Sequence, residues 1–368
     1  MDTVDAGDAV DALETPGGAE FTPGTTYLNT AGCGLLPARA AAAMTGLIQE
    51  LTEGRTGGAG DEAPIAAARR SFARIAHVPE DRVAVGGAVA VHVGMIAQSL
   101  PPGAEVLLPE GEFTSVVTPF TIRDDLRVRY APLDRLADAV RPGTALVAFS
   151  LVQSADGRFA DGAAVRAAAG AHGARTLADA SQSAGWLPLA AGEWDYTVTA
   201  GFKYLLCPRG VSFLTVGEDA QESLPPIHAG AVAAERPGSL YGPVEELARS
   251  ARRYDEPVSF VPYYGAEQAL ALVEEIGVDA LRAHATALAR RFRSGLADSG
   301  LAELGQPLPE EESAVVCVPG LGHRAADLER AGVVVSARAG HLRTAFHLYN
   351  SAADVDRALD VLAAAPRT

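Results

Sequence analysis

Three residues in the stretch TLADASQSAGWLPLAAGEWDYTVTAGFKYLLCPRGVSFLTV, residues 176–216, have the types and spacing to do chemistry. Asp179 closes an apolar run, Gln182 follows it three residues later, and Lys203 lies 24 residues on, just after another apolar run. A lysine amine condenses with an aldehyde to form a Schiff base, and a carboxylate keeps a pyridine nitrogen protonated so that the ring can take up carbanion electrons. Those are the two demands of pyridoxal 5'-phosphate (PLP) chemistry, with Lys203 as the attachment point and Asp179 as the partner of the ring nitrogen. Each residue alone has a simpler reading, a solvated surface lysine and an aspartate that caps a helix or turn. The assignment therefore rests on the surrounding pattern.

Around these residues, short apolar runs alternate with helical patterns. Residues 82–85, 105–108, 127–131, 145–150, 175–178, 196–199 and 211–216 read as strands. The Ala-rich segments 37–51, 63–75, 89–99 and 162–171 read as the helices between them. This alternation predicts an α/β fold with a mostly parallel sheet, whose sites lie beyond the carboxyl ends of strands, where Asp179 and Lys203 fall. After an irregular stretch at 229–253, helices are expected at 265–276 and 278–296. A compact tail follows, with strands at 314–318, 333–336 and 342–348 and helices at 324–331 and 352–364, and it reads as a small C-terminal α/β domain.

Composition narrows the function classes. A formal net charge of −16 argues against a sequence-independent grip on nucleic acid, which needs a basic surface. No apolar run approaches the roughly 20 residues of a membrane helix, and residues 1–20 are acidic with no apolar signal core, so a cytoplasmic protein with no membrane partner is expected. Cys33, Cys207 and Cys317 are an odd set without a CxxC pair, which suggests neither a disulfide framework nor a metal site.

The pattern around Lys203 closely resembles that of class V aminotransferase-fold enzymes, the family of cysteine desulfurases and isopenicillin N epimerase-like proteins. Their D-x-x-Q-x-x-G, then D-Y, then Lys-aromatic-L-L and P-x-G-V is matched by Asp179, Gln182, Gly185, Asp195, Tyr196, Lys203, Tyr204, Leu205, Leu206, Pro208, Gly210 and Val211. The resemblance implies PLP as cofactor and the type I fold of PLP-dependent transferases, α/β with a mostly parallel seven-stranded sheet in a large domain. It also implies a division into a leader at 1–24, a large PLP-binding domain at 25–255, and interface helices with the small domain at 256–368.

Carried along the chain, the resemblance nominates further residues. TTYLNTAGCGLLP, residues 25–37, makes Asn29 a candidate substrate contact. The small-residue turn VAVGGAVAVHVG, residues 83–94, makes Gly87 and Ala88 the phosphate cradle, since a turn entering a helix N-terminus presents backbone N–H groups to an anion. GEFTSVVTPF, residues 111–120, makes Phe113 the residue stacked on the cofactor ring, and SLVQSADG, residues 150–157, places Gln153 beside cofactor or substrate. Gln182 is a further cofactor contact. Relatives often carry phosphate-binding Ser and His where this chain has Ala200 and Phe202, which leaves Thr199 as a substitute.

In the tail, Arg338 and Arg343 match two site-facing arginines; a guanidinium fork matches a carboxylate, and Arg343 is the first choice for the α-carboxylate of an amino acid. The segment 339–342 holds no cysteine, which argues against a persulfide-forming desulfurase, and Cys33 is expected to be an inert thiol. HAGAVAAERPGSLYGPVEELARSARRYDEP, residues 228–257, resembles a segment that lines the substrate entrance; Val232 replaces a tryptophan, and the role of Arg253 stays open.

The resemblance implies an enzyme acting at the α-carbon of an amino acid, an aminotransferase first, with an epimerase or a carbon–sulfur or β-elimination lyase as alternatives, and a homodimer with shared sites. A non-catalytic protein that keeps the fold is the reading from another class. Its usual companion would be a basic DNA-binding module, for which the chain has no room.

Overall fold

The computed structural model describes residues 15–55, 61–236, 240–301, 303 and 312–364. The chain enters through a short strand, β1 (Thr26–Tyr27), and two helices, α1 (Ala38–Thr52) and α2 (Ala63–Ile75). The alternating part follows: β2 (Val83–Gly86), α3 (Val89–Ser99), β3 (Glu105–Pro109), α4 (Thr114–Thr121), β4 (Arg127–Ala131) and β5 (Thr144–Ser150). It continues through α5 (Gly162–His172), β6 (Arg175–Asp179), β7 (Tyr196–Ala200) and β8 (Ser212–Val216). A short α6 (Glu218–Gln221) leads into the irregular stretch, and the long helices α7 (Phe260–Ile276) and α8 (Val278–Asp298) come after it. The tail is β9 (Val315–Val318), α9 (Ala325–Arg330), β10 (Val333–Val334), β11 (Ser336–Arg338), β12 (His341–Ala345) and α10 (Ala352–Ala363).

Strands β2 to β8 form one seven-stranded sheet in the order β2-β8-β7-β6-β5-β3-β4. Its pairings are parallel except at β8, which runs antiparallel to both β2 and β7. The mostly parallel α/β sheet expected from the alternation is thus present, with one reversed strand that hydrophobic pattern alone does not reveal. The inner strands are buried on both faces, as a sheet covered by helices on either side requires. One cover packs α1, α2 and α7 around Phe72, Phe213 and Tyr263, and the opposite layer centres on α3 with Val93, Met95 and Ile96. Edge strand β4 is largely exposed and carries Arg127 and Arg129, charges that deter further strand pairing.

Helix α4 has no counterpart in the sequence reading. Pro119 lies inside it, sixth of its eight residues, where it removes the bond that an N–H there would make to the Ser115 carbonyl, and a proline at that point masks the helical signal. In the C-terminal part, β11, β12 and β9 form an antiparallel sheet covered by α8 and α10. Helix α10 starts with a capping box, Ser351 and Asp354 each bonding the other's backbone N–H. The entering strand joins this part, since β1 pairs in parallel with β10, and Ala345 N–H donates to Leu28 O at 2.9 Å. Among the described residues, no helix is long and apolar enough to cross a membrane.

Candidate active site

Sheet register brings the chemistry to one end. Ser150 pairs with Asp179, Asp179 with Val198, Ala200 with Ser212 and Ser212 with Gly86. Because β8 is reversed, the excursion 201–211 leaves and returns at this same end, carrying Lys203 with it. A cavity of about 420 Å³ opens there, lined among others by Gly87, Ala88, Phe113, Asp179, Lys203 and Arg343. Its size is that of a small-molecule site, in the range of ~300–1,000 Å³.

Lys203 and Asp179 are both nearly buried, at 7% and 4% exposure. Burial pushes the Lys203 amine below its ordinary value, and the nearby Asp179 carboxylate pulls it partly back. Burial likewise raises Asp179, opposed by Lys203 and by the Ser181 N–H, which donates to its Oδ1 at 2.7 Å. Lys203 Nζ sits 5.3 Å from the centroid of the Phe113 ring and makes no hydrogen bond to a described residue. Phe113 itself is 44% exposed and lines the same cavity.

The backbone of Phe113 is held by a buried hub. Glu112 accepts at Oε1 from Phe113 N–H (2.6 Å) and Ser150 Oγ (2.6 Å). At Oε2 it accepts from Ser150 N–H (2.7 Å) and Gln153 Nε2 (3.0 Å). Gln153 therefore stands behind the cavity wall as a support for Glu112, rather than among the lining residues.

Helix α3 begins at the cavity without a side-chain cap, its N-cap Ala88 extended at φ −157°. Free N–H groups at such a terminus, with the helix dipole behind them, suit a phosphate. A Cβ added at Gly87 would meet nothing within 4 Å, so its backbone faces open space. One feature opposes an anion here: Glu256 Oε1 accepts from Gly87 N–H at 3.2 Å.

Arg343, on β12, is buried at 1% exposure yet lines the cavity. Its Nε donates to Ser336 Oγ at 3.1 Å and its Nη1 to the carbonyl and hydroxyl of Ser154, while Nη2 has no partner. Burial, with help from neighbouring Arg338, lowers this guanidinium to about 10. An orphaned donor on a braced fork is the arrangement a carboxylate would complete. Arg338 lines the same cavity from β11 but is exposed.

Other nominated residues lie outside the lining. Gln182 is buried, its Nε2 donating to Ala31 O and Ser154 Oγ, both at 2.9 Å, with Oε1 unpartnered. Thr199 is buried with an unpartnered hydroxyl. Asn29 sits under Gly32, whose added Cβ would strike its amide, and it bridges to Ala345. Cys33 does not line the cavity, and Arg253 borders different cavities, one shared with Asp81 and Glu218. In the other direction, Ser154 and Arg209 escaped the sequence reading, since both occupy the variable positions of motifs whose fixed residues drew attention. Arg209 lines the cavity and stacks on Phe202, its guanidinium carbon 4.4 Å from the ring centroid. Among the described residues, no group of His, Cys, Asp and Glu is placed to hold a metal.

These residues fit PLP. Lys203 would take the aldehyde, Asp179 the ring nitrogen, Phe113 the ring face and the α3 terminus the phosphate, with Glu256 the one group to be displaced.

Comparison with known proteins agrees. The chain is 28% identical to isopenicillin N epimerase of Streptomyces clavuligerus, covering 95% of this chain and 97% of that protein. It is 27% identical to an uncharacterized aminotransferase, YcbU, of Bacillus subtilis, covering 81% and 82%. A probable cysteine desulfurase of Mycobacterium leprae is 28% identical, but the match spans only 47% of that longer protein. Among solved structures, the cystine C–S lyase C-DES superposes with a TM-score of 0.83 at 24% identity, over 95% of this chain and 99% of that one, a likeness of fold. Residues 63–358 match the aminotransferase class-V family along most of the chain, and the protein is a member of that family.

Proposed function

We propose that the protein is a PLP-dependent enzyme acting at the α-carbon of an amino acid, most simply as an aminotransferase. The observation that carries this reading is the convergence in one cavity of buried Lys203, buried Asp179, the exposed ring of Phe113 beside Nζ, and the half-satisfied fork of Arg343. PLP, when bound, supplies an electron sink for the pair left on the α-carbon. The chain does the rest. Arg343 holds the α-carboxylate, Phe113 excludes water from one face of the ring, and Asp179 holds a proton at the ring nitrogen. Lys203 Nζ, once released by the substrate amine, moves the α-proton. Burial favours the neutral amine that this role needs.

Epimerisation and carbon–sulfur or β-elimination share that first proton removal and follow as alternatives. A non-catalytic PLP-binding protein has one observation in its favour, the carboxylate of Glu256 on Gly87 N–H. Retention of the Lys203 and Asp179 arrangement weighs against it. As part of the same reading, the enzyme works as a cytoplasmic homodimer, and a monomer by light scattering would count against the dimer.

The test is visible absorption of the protein with added PLP, before and after a panel of amino acids, with Lys203→Ala as control. A yellow band that needs Lys203, and release of the matching 2-oxo acid without ammonia, identifies amino transfer. Oxo acid with ammonia identifies elimination. Deuterium gain at the α-carbon without oxo acid identifies epimerisation. A band without any of these products leaves the non-catalytic reading, and no band at all refutes the assignment.

A further inference from the structure

The cavity is positive in a negative protein. Lys203, Arg209, Arg338 and Arg343 line it against a single carboxylate, Asp179, while the chain as a whole carries −16. Most arginines with a described role elsewhere are paired: Arg39 with Glu20 and Glu275, Arg69 with Asp255, Arg74 with Glu274. Arg209 and Arg338 make no ion pair with a described residue. Among the described residues the Arg338 guanidinium bonds only the adjacent Ala337 carbonyl, and Arg209 rests on the Phe202 ring. That stack holds a guanidinium in place without neutralising it, leaving its edge N–H groups free for an anion. Arg209 also acts on Lys203, lowering its amine alongside Arg343, so its charge is felt at the reacting end of the cavity.

The anions already accounted for use other groups. The α3 terminus at Gly87 and Ala88 suits the cofactor phosphate, and the buried fork of Arg343 suits an α-carboxylate. From the two cations left over, we infer that Arg209, assisted by Arg338, recognises a second acidic group on the substrate, making the preferred substrate an amino acid with an anionic side chain. This rests on the function proposed above. The two arginines come from different parts of the fold, Arg209 from the excursion before β8 and Arg338 from the β11 hairpin end, and both line the same cavity.

Binding of glutarate and of butyrate to the PLP-incubated protein, measured by calorimetry, separates a second-acid site from a single-carboxylate site. Glutarate is expected to bind at least tenfold more tightly than butyrate. Arg209→Gln is expected to abolish that preference, and Arg338→Gln to reduce it, with butyrate and PLP affinities unchanged. Equal affinities in the unaltered protein, or equal losses of both ligands in Arg209→Gln, overturn the inference. So does a loss of PLP affinity in Arg209→Gln, which would give the anion contact to the cofactor phosphate. Failure of PLP to bind at all refutes the proposed function instead, and the glutarate to butyrate ratio still decides the role of Arg209. Circular dichroism of each variant identifies any that fail to fold, for which Arg209→Lys serves as the milder substitution.

Discussion

Glu112→Gln should weaken both the fold and the site, although it changes one atom. The carboxylate accepts four hydrogen bonds from four donors, two at each oxygen. An amide supplies one acceptor and one donor. If its NH2 takes the Oε1 position, Ser150 Oγ can turn to accept, but Phe113 N–H is left facing another donor. If it takes the Oε2 position, Gln153 can turn its amide, but Ser150 N–H is left unpaired. In either arrangement one buried backbone N–H loses a charged acceptor and the remaining bonds lose their charge assistance. The cost is about 2–4 kcal/mol, from roughly 1.5–3 for a bond to a charged group plus part of the penalty for an unsatisfied donor. With a urea slope of about 3 kcal/mol/M, the unfolding midpoint falls by roughly 1 M. Because Phe113 N–H is one of the four donors, its ring should also lose its place beside Lys203. Loss of stacking worth about 0.5–1.5 kcal/mol weakens PLP binding roughly two- to tenfold. Urea denaturation followed by tryptophan fluorescence, and PLP titration by absorbance, measure the two effects. A midpoint within 0.2 M of the unaltered protein, below the shift of about 0.3 M that even a modest penalty of ~1 kcal/mol would set at this slope, would refute the account of Glu112 as a hub.

Glu256→Gln, which removes a negative charge from Gly87 N–H, should tighten PLP binding about fivefold, the equivalent of ~1 kcal/mol for one close like charge in polar surroundings; unchanged or weaker binding contradicts this. Attachment of the aldehyde needs a neutral Lys203 amine, so loading should rise with pH and level off at a midpoint below 10.5. Since Asp179 pulls the amine up, Asp179→Asn should move that midpoint to lower pH, and a move upward in stopped-flow absorbance would reverse the assigned sign. Asp255→Ala leaves Arg69 buried without its partner, and also frees Val85 N–H next to the phosphate turn. A loss of about 3–5 kcal/mol in thermal or urea unfolding is expected, and a loss below ~1 kcal/mol would show the pair to be dispensable.

The sequence made the sheet legible because every strand except edge strand β4 is a compact, mostly apolar and buried run, and the ends differ from the expected ones by a residue or so, as with Glu105–Pro109 and Tyr196–Ala200. The reversed direction of β8 was not legible, since hydrophobic pattern carries no polarity. Lys203, Asp179, Phe113 and Arg343 stood out because each sits at a fixed place in a motif, and the fold brings all four to one cavity. A motif does not say which way a side chain faces across a wall. Gln153, Gln182, Thr199 and Asn29 belong to the same motifs and lie behind the lining, three of them with a buried unpartnered oxygen. Arg209 was invisible for the opposite reason: its motif leaves that position open, and only the stack on Phe202 shows where it points.

The reversal of β8 has a consequence for how such a site can change. The excursion 201–211 is tethered at both ends to neighbouring strands by the Ala200–Ser212 pairing, and it carries Lys203, the proposed attachment point, at one place and Arg209 at another. It is a self-contained cassette. Grafting it between related sheets would transplant cofactor attachment and side-chain preference together, whereas exchanging the β11–β12 hairpin, with Arg338 and Arg343, would alter carboxylate selection while leaving Lys203 where it is.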